Sequence, residues 1–485
     1  MKLKDIIRDI PVTACTADPD MEIGDIRYDS RAVREGDLFV AVVGFASDGH
    51  RFIPAAVKSG AAAVLCQEVP DGIEIPYILT PDSRKALALA SAAFFGYPAK
   101  DLTMIGVTGT NGKTTSTTLI KHILEEAKGA KVGLIGTIAN YIGDTELHAE
   151  RTTPESYELQ KLLRRMADEG CAYAVMEVSS HALALDRVAG IRFAAGVFTN
   201  LTQDHLDFHK TMKDYAAAKA LLFQVSDAAA VNTDDPWVPF MTEKISCPVL
   251  GFGTAGGDLT ARDIEYSAAG VHFTACLGSQ QVPVSLGIPG RFSVSNALTA
   301  LAAVTLVDVP LEDAARALGT ASGVKGRVEV VPTPKDFTIV IDYAHTPDAL
   351  EKVLQAMRAV TEGRLVALFG CGGDRDGTKR PIMGRIAAEN ADFTVVTSDN
   401  PRTEDPEAII SDILAGIPED APKAVIPDRR EAIAWVIDHH EPGDIIVLAG
   451  KGHETYQEVN GVKNHMDERE IVAMHLAEAR GEELS

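Results

Sequence analysis

Short apolar runs recur along this chain, and run after run ends on a polar, glycine-bearing or turn-forming cluster. TMIGVTG leads into TGTNGKTT, AYAVMEV into EVSSH, and AAGVFTNL into TNLTQDH. Later, FTIVIDYAH ends on DYAHTP, RLVALFGCGG on GCGGDRD, FTVVTSDN on SDNPR, and DIIVLAGKG on AGKGHE. Helical patterns separate the runs. In TTSTTLIKHILEEAKG, Leu119, Ile120, Ile123 and Leu124 fall at helical spacing, and Gly129 stands where a helix stops. Apolar strands separated by helices imply parallel sheets, because parallel neighbours need a crossover. Ligands of such open sheets bind beyond the carboxyl ends of the strands, which is where the polar clusters fall. The fold class is therefore α/β.

The chain has 485 residues, too many for one core. Three segments differ in pattern. Residues 1–98 mix short strands (DLFVAV, AAAVLC, IPYIL) with Ala-rich helices after Ile53 and Arg84. Residues 99–326 form a central parallel-sheet domain. The alternation restarts over 327–485 as a Rossmann-like domain, with ASGVKGRVEV as the hinge. The formal net charge of −23 argues against sequence-blind nucleic-acid binding, which needs a basic field. It leaves a nucleotide ligand open, since a few local cations and backbone N–H groups hold a phosphate. Cysteines 15, 66, 171, 247, 276 and 371 make no C-x-x-C pair and read as reduced thiols of a cytoplasmic protein. MKLKDIIRDIPV does not read as a signal peptide. No apolar run approaches the ~20 residues needed to cross a bilayer, so no membrane insertion is expected.

Gly109, Thr110, Asn111, Gly112, Lys113, Thr114 and Thr115 lie between a strand and a helix. Glycines let the backbone aim N–H groups at phosphate oxygens, and the helix N-terminus adds positive potential. Lys113 can reach the outer phosphates, and the Thr114 hydroxyl can ligate Mg²⁺. The spacing is the short G-T-x-G-K-T form, because Val107 holds the first glycine position of the longer motif. A glycine-rich turn without ligand is the simpler alternative. Further on, Glu177 ends a buried strand ahead of Ser179, Ser180 and His181, and Asn200 and His205 follow the next one. A carboxylate, a hydroxyl and water suit Mg²⁺. On its residues alone, Lys219 in YAAAKALLF reads as a snorkelling lysine.

GTNGKTT resembles the Mur ligase and folylpolyglutamate synthase superfamily, and the later motifs resemble the Mur ligase family over nearly the whole chain. That resemblance implies an ATP-dependent ligase with a small N-terminal uridine-nucleotide domain, a central P-loop domain and a C-terminal Rossmann-like domain. It implies that Lys219 is carbamylated by CO₂, which needs the neutral amine that burial favours. Thr114, Glu177, His205 and the carbamate on Lys219 would then hold Mg²⁺, with Lys113, Glu177, His205 and Lys219 as the catalytic set. Asn296, in GRFSVSN, would meet the adenine. Arg327 in KGR, with Asp342 and His345 in DYAHTP, would close over ATP.

The resemblance also implies a uridine diphosphate site at Ser30, Phe45 and Ala46, and a muramoyl-dipeptide site at Thr152, Thr153, Ser179 and Arg187. Asp399-Asn400-Pro401-Arg402 resembles the family's signature for meso-diaminopimelate, with Arg375, Gly450 and Glu454 as further contacts. The chemistry fits, since Arg402 can bind bidentately the second carboxylate that lysine lacks. The implied reaction joins meso-diaminopimelate to the D-glutamate γ-carboxylate of UDP-MurNAc-L-Ala-D-Glu through an acyl phosphate. His205 and His345 are candidates to take the amine proton. The alternatives are the same ligation with L-lysine, a folylpolyglutamate-type ligase, and a non-catalytic nucleotide binder. The expected partners are small-molecule substrates, with no nucleic acid, and the expected state is a monomer.

Overall fold

The structure is a computed structural model, and it describes residues 1–44, 47–68, 72, 74–267, 269–321, 323–331, 333 and 336–480. The chain divides into two compact units, Met1–Thr260 with Leu298–Ala314, and Ala261–Ala297 with Ala315–Ser485.

The first unit opens with a five-stranded sheet in the order Ala14–Cys15, Tyr77–Leu79, Ala63–Cys66, Leu38–Val40, Ile26–Arg27. All its pairings are parallel except that of the first strand. Alternate residues serve opposite faces, as a strand's period of two requires. Leu38, Val40 and Leu65 join Leu3, Ile6 and Leu87 in one core, while Phe39, Val64 and Cys66 join Ile53 and Ala56 in another. The helix Ser83–Phe94 covers the first face and is capped by Asp82, whose carboxylate accepts from the Arg84 and Lys85 amides.

A second sheet is built around the strand Thr103–Thr108. It lies between Tyr173–Glu177 and Phe193–Phe198, parallel to both. Val132–Ile135 continues it on one side and Ser226–Asn232 then Val249–Gly253 on the other, all parallel. The helix Lys113–Lys128 buries Leu119, Ile120, Ile123 and Leu124 and ends at Gly129, whose φ is 58°, as its periodicity predicts. The edge differs from the expected parallel pattern. Ala139–Ile142 and Thr145–His148 form an antiparallel ribbon on Val132–Ile135, turned at Gly143.

The second unit contains the antiparallel hairpin Gly270–Leu277 with Gln280–Leu286. It also contains a six-stranded sheet in the order Glu329–Val331, Thr338–Asp342, Ile445–Ala449, Leu365–Phe369, Phe393–Val396, Lys423–Val425. Only the first strand is antiparallel. Ile445–Ala449 sits between two strands that are consecutive in the chain, so the winding reverses there, the usual ligand position in such sheets. The helices Arg429–Asp438 and Glu468–Arg480 cover one face through Ile433, Val436, Ile437 and Val472. Among the described residues no helix is long and apolar enough to cross a membrane, and no cysteine is bonded to another.

Candidate active site

The phosphate loop is held open by the neighbouring strand. Asn200 grips Asn111 from both sides, with Oδ1 accepting from the Asn111 amide at 2.9 Å and Nδ2 donating to its carbonyl at 3.1 Å. Thr199 Oγ1 donates to the same carbonyl at 2.7 Å. Gly109 has a φ of 153°, and a Cβ there would run into the Thr199 hydroxyl, so only glycine fits. Gly112, at φ 82°, delivers the chain into the helix that begins at Lys113. Thr114 and Thr115 open that helix, and Thr114 is half-buried.

Two lysines converge on one carbonyl. Lys113 Nζ donates to Gly109 O at 3.0 Å and to Thr110 O at 2.8 Å, while Lys219 Nζ donates to Gly109 O at 2.8 Å. Lys219 is 1% exposed. Burial, and then the Lys113 charge, push its ammonium well below the ordinary lysine range. Its Nζ lies 4.5 Å from the centre of the Tyr215 ring. The snorkelling reading of Lys219 is therefore wrong, because the side chain is pulled into the fold from the buried face of the helix Met212–Gln224.

Beside this pair stands a histidine cluster. His205 has a φ of 53°, and its ring packs edge-on against His181 at 4.9 Å and lies 6.0 Å from Tyr215. His209 is buried, shares a hydrogen bond of 2.8 Å with Ser180 Oγ, and is pushed down to about 4 by burial and the neighbouring His181. His209 escaped sequence reasoning because nothing in TNLTQDHLDFH sets the second histidine apart.

Glu177 is buried at the end of its strand. Its Oε1 accepts from the Thr137 amide at 2.9 Å and its Oε2 from the Thr137 hydroxyl at 3.0 Å. That hydroxyl also shares a hydrogen bond with Thr152. Thr153 Oγ1 donates to Glu177 O at 2.8 Å and accepts from the Ser179 amide at 3.1 Å. Arg187 Nη1 donates to Thr153 O at 3.2 Å, with its Nε 3.2 Å from Glu155. Burial lowers the Arg187 guanidinium from its ordinary range. Thr152, Thr153, Ser179 and Arg187 thus meet around Glu177. Ser30 opens a short 3₁₀ turn behind the cap Asp29. Phe45 and Ala46 lie outside the described residues.

In the second unit, Asp342 is buried and accepts from the Val328 amide at 2.8 Å, and burial raises its carboxyl. Arg327 lies 5.3 Å over the Tyr343 ring, which in turn meets His345 at 4.6 Å. Burial lowers the His345 imidazole. Asn296 is buried on the helix Arg291–Thr305.

The strand ends carrying SDNPR and AGKGHE come together. Gly450 has a φ of 115°, and a Cβ there would stand 2.5 Å from Asp399 Oδ2. Asn400 Nδ2 donates to Glu454 Oε2 at 2.9 Å. Pro401 is buried beside them. Arg402, at φ 52°, is fixed by its amide donating to Glu458 O and by its carbonyl accepting from the Asn460 amide. Its Nη1 donates to Gly373 O at 2.7 Å. Arg375 is exposed and donates to Asp374 O of its own loop, which Thr403 ties to the same segment through the Asp374 carboxylate. Two residues here escaped sequence reasoning, Lys451 and Arg429. Lys451 lay inside a motif whose glycine and glutamate drew the attention, and Arg429, in PDRREAI, carries no local signal.

These features define a nucleotide-dependent ligase of the Mur type, and the comparisons agree. The chain matches the models of the Mur ligase family catalytic domain over residues 22–94, the Mur ligase middle domain over 107–304 and the Mur ligase glutamate ligase domain over 326–452. The chain belongs to the Mur ligase family. A relative from Clostridium acetobutylicum named UDP-N-acetylmuramoyl-L-alanyl-D-glutamate--2,6-diaminopimelate ligase 1 is 47% identical over 482 residues, 99% of this chain and 100% of the relative. A Clostridium botulinum ligase of the same name, without the numeral, is 46% identical over 93% of this chain and 94% of its own length. A solved structure of a 2,6-diaminopimelate ligase of that name superposes with a TM-score of 0.77 at 33% identity, covering 100% of both chains.

Proposed function

We propose that this protein joins meso-diaminopimelate to the D-glutamate γ-carboxylate of UDP-MurNAc-L-Ala-D-Glu, using ATP and forming an acyl phosphate on the way. The product feeds peptidoglycan synthesis, and the protein works as a cytoplasmic monomer. The observation that carries the ligase reading is the convergence of Lys113 and Lys219 on Gly109 O, which sets a buried, neutral-leaning amine beside a phosphate loop. A neutral amine has the lone pair that attacks CO₂. Relatives at 43–47% identity named for diaminopimelate support the choice of amino acid.

The residues fit a carbamate and a divalent cation. Burial favours the neutral, nucleophilic form of the Lys219 amine, and Thr114, Glu177 and His205 offer a hydroxyl, a carboxylate and an imidazole. Bound there, the cation would neutralise charge on the phosphates and on the transferring phosphoryl group. The chain's own part follows from its geometry. The loop amides and Lys113 would bind the outer phosphates, and Lys113 would exchange its carbonyl partners for phosphate oxygens. Arg187, loosened from water by burial, would take a carboxylate of the muramoyl dipeptide, with Thr153 and Ser179 orienting it. Arg327, Asp342 and His345 would hold the nucleotide from the C-terminal domain, with Asn296 at the base and Ser30 at the uridine end. On this reading the domain boundaries would fall at 98 and 326. Arg402 would pair with the distal carboxylate of the amino acid, and Glu454 with its distal ammonium. The proximal amine attacks the acyl carbon, phosphate leaves, and no protein nucleophile is needed.

The test is phosphate release from ATP in the presence of UDP-MurNAc-L-Ala-D-Glu, with meso-diaminopimelate or L-lysine added in parallel and the product weighed by mass spectrometry. Product with diaminopimelate alone is expected. Equal or better turnover of lysine would leave the ligase standing and sink the role given to Arg402.

A further inference from the structure

Lys451 is 0% exposed, and neither the resemblance nor the motif reading gives it a task. Its Nζ donates to Asn400 Oδ1 at 2.9 Å and to Glu454 Oε2 at 2.9 Å. Asn400 Nδ2 closes the ring by donating to the same Glu454 oxygen at 2.9 Å. Asn400 Oδ1 also accepts from the Glu458 amide at 2.9 Å, which ties the ring to the ribbon Tyr456–Val459. The ammonium faces the Tyr456 ring at 5.3 Å. Glu454 Oε2 is therefore occupied twice, whereas Oε1 lies 3.5 Å from the Tyr456 hydroxyl, at the long edge of a hydrogen bond.

We propose that Lys451 is a positioning residue for the amine substrate: it fixes Asn400 and one oxygen of Glu454, so that the other oxygen meets the incoming ammonium. The proposal rests on the reading that this cluster takes the amino acid. A half-buried carboxylate needs a cation on its inner side to keep it from swinging towards solvent. Lys451 supplies that cation from below, in a place the substrate cannot occupy. It holds Glu454 in one rotamer before the substrate arrives, so less order is imposed on binding. The three mutual hydrogen bonds make Lys451, Asn400 and Glu454 one unit, and the members of one network couple energetically.

The experiment is a double-mutant cycle of Lys451→Met and Glu454→Gln, with KM for the amino acid, ATP and the UDP dipeptide measured separately. The wild type is assayed first with both amino acids, and the cycle is read on the one it uses. No wild-type product with either amino acid overturns the site reading itself, and the proposal with it. Lys451→Met is expected to raise KM for the amino acid about tenfold or more, with both nucleotide KM values within about twofold of wild type. The double variant is expected to be no worse than Glu454→Gln alone. Additive losses, an unchanged amino-acid KM, or a parallel rise of all three KM values would overturn the proposal. Lys451→Gln, neutral but still a donor, carries the same test if the Met variant fails to fold. Failure of both to fold, with Glu454→Gln folded, would mean that Lys451 serves stability alone, which also overturns it.

Discussion

At the scale of single residues, the site places groups where they cost stability. Lys219 is the clearest case. In the unfolded chain its amine holds a proton up to about pH 10.5, whereas burial and Lys113 make the folded protein release it well below that. Between those two pKa values the unfolded state binds more protons, so stability rises with pH in that window. At neutral pH the unmodified lysine is therefore a burden, and the burden fades as pH climbs towards 10.5. In metal-free, bicarbonate-free buffer, Lys219→Met is expected to raise the thermal midpoint by roughly 1–3 °C near pH 7. The gain should shrink towards zero by about pH 10, and ligase activity should fall at least a hundredfold. A variant that is less stable than wild type at pH 7 would show that the amine is satisfied as a cation. Glu177 and Gly109 follow the same logic of placement. The carboxylate is aimed by both donors of Thr137, and the glycine exists because the Thr199 hydroxyl leaves no room for a Cβ.

At the scale of elements, the loops that carry Asn400, Lys451 and Glu454 are fastened from beneath. Arg429 and Glu468 are both fully buried. Arg429 Nε donates to Glu468 Oε1 at 2.8 Å and Nη2 to Ala449 O at 2.9 Å, the residue just before Gly450. Its Nη1 reaches Ser398 O, the residue just before Asp399, at 3.5 Å. One guanidinium thus ties the ends of two strands to the helix Glu468–Arg480. Burial pushes the Glu468 carboxyl up, against the pull of Arg429. The two partners should therefore not be equivalent. Arg429→Met, which strands a buried carboxylate and frees two strand ends, is expected to cost ~3–5 kcal/mol in urea unfolding. Glu468→Gln, which keeps the shape of a group already inclined to neutrality, should cost ~1–2 kcal/mol. Equal losses would remove the distinction. The same elements explain what could be read in advance. Parallel strands buried on both faces announce themselves as apolar runs, and the polar clusters at their ends followed from that, so Glu177, Asp342, Asp399 and Gly450 were placed correctly at strand ends. The ribbon Ala139–Ile142 with Thr145–His148 was not legible, because its outer strand is largely exposed and carries no apolar period. Lys219 was illegible for a different reason. A lysine among apolar neighbours looks the same in sequence whether it snorkels or turns inward, and only the position of Gly109 O decides.

At the scale of the whole molecule, the charge balance opposes the proposed substrates. The formal net charge is −23, while ATP and the UDP dipeptide are anions. In the proposed reaction their attraction would come from local groups such as Lys113, Arg187 and Arg327, acting within a field of the opposite preference. At ~0.01 M salt the Debye length is about 30 Å, so an approaching anion feels the summed charge. At ~0.15 M it is about 8 Å, and only the nearby cations remain in view. With ATP and amino acid saturating, kcat/KM for the UDP dipeptide is therefore expected to rise two- to fivefold between these two potassium chloride concentrations. Beyond ~0.5 M it should fall, as screening reaches the local contacts themselves. A monotonic fall from the lowest salt would mean that the cations around the site outweigh the global charge in steering the substrate, and the acidic surface would then serve solubility without a kinetic penalty.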